Sequence, residues 1–462
     1  MNTTLLSIAK SWHTADSTVN ATAELISWVR QRNCEVEVNV RKARLEDDKF
    51  WFYDGQEGCI RNQSRSFFTI TGFRQTGPDG SIQTQPIIVQ PEIGYLGIVC
   101  QEIDGIMHFL MQAKIEPGNV NKIQISPTLQ ATKSNFTLAH GGATPPYLDY
   151  FLNAGKYEIV VDQLQSEQAS RFYKKRNRNI LIRVDEDIPV LPTHRWMTLG
   201  QLKALMRMDN LVNMDTRTIL SCIPYAQLHL PLPQMQELSN GFRDAALFRS
   251  VFADSGHDAI PGIYQYLNHW KMFSETHSQF VPLHQLEDWE MRDGEFVCKR
   301  PYPFKVAFYD ITIAGREVTH WTQPLFEAIG PATFGLICCE IDGVLKFLVK
   351  AMPEIGSFDG LELGPTIQRE AAAFSEDDAI TSFFMKRLEG DKNVMFDHLL
   401  SEEGGRFYHE QNRNVLLKVS PEELPPLPSG YFLLDYRTLN RLVQTNNTLN
   451  IQLRNLLSLL EA

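Results

Sequence analysis

The chain has 462 residues, 43% of them hydrophobic and 21% charged, which is enough for two or three domains with sizeable cores. A formal net charge of −11 excludes the basic stripe by which proteins grip nucleic acid, and no apolar run approaches the ~18 residues of a membrane-spanning helix. The seven cysteines form no CxxC pair and read as buried free thiols of a reducing compartment. The opening MNTTLLSIAKSWHT lacks a basic start followed by an apolar core, so no signal peptide is expected and the protein is placed in the cytoplasm.

Along the chain, aromatic-rich Phe50-Trp51-Phe52-Tyr53 is read either as core packing or as a stacking surface for a base. Asp104-Gly105, flanked by apolar runs, predicts a β-hairpin with a type I′ turn. After the turn Met107, Phe109, Met111, Ala113 and Ile115 share one face, with His108, Leu110, Gln112, Lys114 and Glu116 opposite. A helix is predicted over Glu158–Arg176, then a strand over Asn179–Val184 and further helices from Leu199. A partly helical connector starts at Pro231.

The same order then repeats. GIVCQEIDGIMHFLMQAKIEPG from Gly97 returns as GLICCEIDGVLKFLVKAMPEIG from Gly335, so that Glu102 maps to Glu340 with an offset of 340 − 102 = 238. Asp342-Gly343 predicts the second hairpin turn, Val394–Gln411 a second helix, Val415–Val419 a strand, and the segment from Tyr436 the closing helices. The fold class is therefore α+β, a mixed sheet flanked by helices, in two tandem domains at 1–235 and 236–462.

Residues shared by two copies of one scaffold are most simply structural, so chemistry is sought where they differ. Lys114 faces Met352, and PTLQATKSNF from Pro127 faces PTIQREAAAF from Pro365. Lys114 and Glu116, two apart on a strand, form either an acid–base or oxyanion pair, or a solvated ion pair. Arg171 and Arg406 each precede Phe-Tyr; they read as oxyanion clamps or as charges at a helix C-terminus. His140, before Gly-Gly, is a loop histidine that is either solvated or a general acid or base. No Walker loop, GxGxxG after a strand, HExxH, GxSxG or zinc-type spacing is present, so neither a cofactor nor a metal is expected.

QAKIEPGNVNKIQISPTLQATKSNFTLAHGG from Gln112 and LQSEQASRFYKKRNRN from Leu164 resemble the NDP-hexose 2,3-dehydratases of deoxysugar biosynthesis, and the likeness covers essentially the whole chain. The resemblance implies a homodimer of subunits built from two Nudix-like domains, and a cofactor-free hydro-lyase. The substrate is usually a dTDP-4-keto-6-deoxyhexose, which loses its C2 hydroxyl to give a 3,4-diketo-2,6-dideoxy sugar. A downstream 3-ketoreductase would consume that product on the way to a glycosylated natural product. Neither copy carries the Arg-Glu-x-x-Glu-Glu cluster of a Nudix hydrolase, so metal-assisted diphosphate hydrolysis is the disfavoured alternative, beside non-catalytic binding of a nucleotide sugar.

On that reading the first copy is catalytic, because the second departs from the motif. Lys114, Glu116 and His140 are the candidate catalytic groups. Gln130 and Thr132 join His140 in orienting the sugar. Trp51, Ser134, Asn135, Arg171 and Tyr173 are candidates for the nucleotide, with Arg171 on the diphosphate; Asn119, Ser126, Thr128 and Asn179 complete the substrate-binding set. Trp289, Gln368, Arg406 and Tyr408 are the candidates for nucleotide binding by the second copy.

Overall fold

The computed structural model describes residues 3–133, 144–253, 258–314, 318–372, 377–390 and 393–462. The first hairpin joins strands Tyr95–Ile103 and Ile106–Ile115, and the second joins Thr333–Ile341 and Val344–Pro353. Asp104 and Asp342 have φ of 52°, and Gly105 and Gly343 have φ of 77° and 72°. Both turn positions are left-handed, as a type I′ turn requires.

Each hairpin lies inside a seven-stranded mixed sheet. In the first copy the order is Glu158–Ser166, Arg176–Arg183, Tyr95–Ile103, Ile106–Ile115 and His194–Thr198, with Ile123–Ser126 and Leu129–Ala131 paired off this path. Arg176–Arg183 runs parallel to Tyr95–Ile103; the second copy repeats the arrangement. Both faces of the hairpin are buried: His108 and Leu110 are as enclosed as Met107 and Phe109.

The helix expected over Glu158–Arg176 is a strand, Glu158–Ser166, followed by a loop and the next strand. Val394–Ser401 corrects the second copy in the same way. The inward positions of the first strand are Val161, Gln163 and Gln165. Two are glutamines whose Nε2 groups find partners in the interior: Gln163 donates to Gln444 Oε1 at 2.7 Å, and Gln165 to Gln163 Oε1 at 2.6 Å and to the Val443 carbonyl at 2.8 Å. Buried polar residues with partners are permitted in a core, but they erase the period-2 hydrophobic signal.

Two smaller sheets carry a reciprocal exchange. Strand Val38–Ala43 of the first copy pairs antiparallel with Phe304–Ile313 of the second, and His277–Val281 of the second pairs with Thr69–Thr76 of the first. Each exchanged strand precedes its copy's tryptophan-led strand, Trp51–Asp54 or Trp289–Arg292. The copies are thus interlocked through backbone ladders.

The terminal helices lock them again. Met214–Ser221 packs on Ile451–Ser458. Fully buried Arg217 donates to the Ser401 carbonyl at 2.7 Å, while Arg454 donates to the Ser166 carbonyl. Among the cysteines, Cys34 is exposed and Cys298 half-buried, whereas Cys59, Cys100, Cys222, Cys338 and Cys339 are buried; all are free thiols. No helix among the described residues is long and apolar enough to cross a membrane.

Candidate active site

Lys114 lies at the end of Ile106–Ile115, and Glu116 just beyond it. Their side chains meet, with Nζ 3.6 Å from Oε1. The pair is not a solvated surface bridge, since Glu116 is only 6% exposed. Lys114 Nζ donates to the Gln130 carbonyl at 3.1 Å, and Gln130 Nε2 donates to Glu116 Oε1 at 2.9 Å. Asn213 Nδ2 donates to Gln130 Oε1 at 3.1 Å, while Asn213 Oδ1 caps Met214–Ser221 by accepting Thr216 N–H at 2.9 Å. One asparagine therefore fixes both the helix start and the glutamine that orients Glu116.

The remaining Glu116 oxygen reaches the other copy, where Oε2 accepts Gly404 N–H at 3.0 Å. The approach is close enough that a Cβ on Gly404 would lie 2.9 Å from the Asn119 backbone nitrogen, and one on Gly118 only 1.6 Å from the Phe407 carbonyl oxygen. Glycine is needed here for contact distance.

Lys114, Glu116 and Gln130 line a cavity of about 880 Å³, within the roughly 300–1,000 Å³ typical of small-molecule sites. Its charged lining is mixed: the carboxylates Asp47, Asp48, Glu116, Glu167, Asp215 and Glu403 share it with Lys49, Lys114, Lys175 and Arg406, Lys175 interacting with Glu167 and Arg406 with Glu403. Phe50, Trp51, Phe67, Phe68 and Trp321 supply aromatic wall, and Thr132 also faces it. Trp51 is buried, and its indole N–H is held by the Thr322 carbonyl at 2.8 Å. It serves as core and cavity wall together.

Electrostatics within the cavity are strongly perturbed. Burial pushes Glu167 up to about 7, against Arg454, Lys175 and the Asn177 amide, which favour its charge. Burial, then the charge of Glu116, likewise pushes Glu403 up to about 7. Burial lowers Lys175 to about 8. Its ammonium donates to the Glu92 carbonyl. Arg406 stacks 4.4 Å above the Phe68 ring and donates to Gln90 Oε1 at 3.2 Å, both partners belonging to the first copy.

Arg171 is therefore not the arginine of this cavity. It is buried in the second copy, 4.3 Å over Phe304, with its guanidinium 3.3 Å from Glu370 and 3.8 Å from Glu410. The interlock explains the exchange: each Arg-Phe-Tyr loop reaches across to the opposite copy, so Arg406 enters the cavity of the first and Arg171 the equivalent place in the second. There the counterparts of Lys114, Asp215 and Glu403 are Met352, Gln452 and Gln168.

Several other candidates are braces. Thr128 Oγ1 accepts Val99 N–H at 2.9 Å and donates to the Leu110 carbonyl, as Thr366 does in its own copy. Asn119 closes a turn onto the Lys122 carbonyl at 2.9 Å, and Ser126 bonds the Gln124 carbonyl at 3.3 Å. Asn179 bonds the Asn177 carbonyl at 3.2 Å. Tyr173 packs between Phe73 and Phe280, Trp289 among Phe296, Tyr302 and Phe304, and Tyr408 on Tyr309. Gln368 holds Glu354 at 3.0 Å, mirroring Gln130. Ser134, Asn135 and His140 lie outside the described residues.

Asp215, Glu167, Lys175 and Glu403 were not singled out from the sequence. The copy-against-copy comparison carried the signal for three of them, since Asp215 aligns with Gln452, Glu403 with Gln168 and Lys175 with Glu410.

A cavity that both copies wall, lined by amines, a guanidinium and buried carboxylates, has the makeup of an enzyme active site for a small molecule. The family model for NDP-hexose 2,3-dehydratase matches residues 22–223 and again 261–460. Three relatives are named dTDP-4-dehydro-6-deoxy-alpha-D-glucopyranose 2,3-dehydratase. The one from Saccharopolyspora spinosa is 37% identical, covering 96% of this chain and 91% of its own. Those from Streptomyces violaceoruber and Amycolatopsis orientalis are 35% and 32% identical, covering 95% and 98% of this chain and 97% and 93% of theirs. The chain belongs to the NDP-hexose 2,3-dehydratase family, a family of lyases.

Proposed function

We propose that the protein removes water across C2 and C3 of a dTDP-4-keto-6-deoxyhexose, giving the 3,4-diketo-2,6-dideoxy sugar nucleotide. The observation that carries this reading is the Lys114–Glu116 pair in a cavity that Arg406 and Lys175 also line. The C4 ketone acidifies the C3 proton and accepts the electrons, so the chemistry asks for a base, an enolate-stabilising charge and a proton donor. Glu116 serves as base or proton relay. Lys114 stabilises the enolate oxygen or protonates the leaving group. Arg406 and Lys175 take the diphosphate, and Trp51 borders the nucleotide.

The reading extends to a Nudix-like topology in each copy, a homodimer and a cytoplasmic setting. The reactive diketone calls for a 3-ketoreductase as the next enzyme. Incubation with dTDP-4-keto-6-deoxyglucose, a 3-ketoreductase and its reduced nicotinamide cofactor should yield the 2-deoxy sugar nucleotide. Magnesium-dependent release of dTMP would instead mean hydrolysis, and saturable binding without turnover would mean a binding protein.

A further inference from the structure

We propose that Asp215 is the acid that protonates the departing C2 hydroxyl. The inference rests on the dehydratase reading and divides its acid and base roles.

Asp215 is the second residue of Met214–Ser221, adjoining the Asn213 cap that connects through Gln130 to Glu116. It lines the cavity, is 2% exposed, and its Oδ1 has no hydrogen-bond partner among the described residues. A bare ionised oxygen in that position is costly, whereas a carboxyl group offering its proton to a ligand is not.

The surroundings select the protonated form. Glu116, Glu167 and Glu403, each in a loop just past a strand, act on Asp215, opposed by Lys114 and Arg217. Burial first, and then these carboxylates, raise Asp215 well above the ordinary range, against the pull of its helix N-terminus. The second copy has Gln452 and Gln168 in place of Asp215 and Glu403, and Met352 in place of Lys114. The proton-bearing carboxylates and the amine are thus lost together.

Glu116 takes the C3 proton and the electrons move to the C4 oxygen, beside the Lys114 ammonium. As the C4 carbonyl re-forms, C2=C3 forms and the C2–O bond breaks, its electron pair leaving with oxygen, which receives the Asp215 proton and departs as water. The C3 enol then returns its hydroxyl proton to Asp215 while Glu116 delivers its proton to C2. Both groups are reset, and only water is lost.

The test follows the substrate in D2O with wild-type, Asp215→Asn and Glu403→Gln enzymes. Asp215→Asn should bind dTDP as wild type does and still exchange the C3 proton for deuterium, while dehydration falls by roughly 10²–10⁴-fold. Dehydration near the wild-type rate overturns the assignment, as does loss of exchange and dehydration together in a variant that binds dTDP normally. If Asp215→Asn does not fold, Glu403→Gln decides. With one negative neighbour removed, Asp215 would lose its proton at lower pH, and the alkaline limb of kcat should move to lower pH; an unmoved limb overturns the proposal. A wild-type enzyme that dehydrates nothing defeats the dehydratase reading itself, and this inference with it.

Discussion

Glu116 of the first copy accepts the backbone N–H of Gly404 of the second at 3.0 Å, so the carboxylate proposed as base is held by both copies. Gly404→Ala should show this dependence. Its Cβ would meet the Asn119 backbone nitrogen and Glu116 Cβ at 2.9 Å, contacts that must give way. The expected cost is about 1–3 kcal/mol by denaturant unfolding, with a further loss in kcat because Glu116 shifts. A variant with wild-type kcat would show that the cross-copy contact is incidental to turnover.

Lys114→Met installs the residue that the second copy carries. Dehydration should fall by about 100-fold or more, the order expected when one oxyanion-stabilising group is removed. Binding of dTDP, measured by calorimetry, should persist. The reciprocal Met352→Lys should leave kcat unchanged, and a fully active Lys114→Met enzyme would remove Lys114 from the mechanism.

The two arginines should separate binding from stability. Arg406→Ala should weaken dTDP binding, because Arg406 lines the cavity. Arg171→Ala leaves Glu370 and Glu410 facing one another without their shared cation, Glu410 being buried. It should cost about 3–5 kcal/mol of folding stability, with dTDP affinity unchanged in the folded fraction. Thermal melts and calorimetry on both variants read the contrast.

Much of this arrangement follows from short-range pattern. The Asp-Gly turns and their flanking apolar runs identify both hairpins, and the loss of Lys114 to Met352 points to the first copy. The strand exchange is different in kind. Two copies of one pattern carry no local mark of which partner strand Val38–Ala43 joins, so the crossing of Arg171 and Arg406 to opposite copies is set by tertiary pairing alone. The strand Glu158–Ser166 is obscured because its inward residues include Gln163 and Gln165, polar by type yet hydrogen-bonded within the core through their amide nitrogens. Asp215 and Glu403 lie in segments where the two copies differ in charge but are bland locally.

Glu362 gives a pH test of the interlock. Its Oε2 accepts the Ser166 hydroxyl at 2.7 Å across the copies, and burial pushes it up to about 7 from an ordinary 4.5. The native protein therefore binds more protons than the unfolded chain between those values, and this group's contribution to stability falls as pH rises through that window. Glu362→Gln, which installs the residue of the aligned Gln124, should be more stable than wild type above pH 7, with the difference shrinking toward pH 4.5. Melting temperatures across that range check the sign, and a constant difference would contradict it.

On the proposed reaction, one cavity, walled by both copies, takes the sugar nucleotide. A crystal structure of the protein soaked with dTDP tests it most directly. Density is expected in the cavity lined by Glu116 and Arg406, with the diphosphate toward Arg406 and Lys175. Density confined to the Arg171–Glu370 region, with that cavity empty, would contradict it.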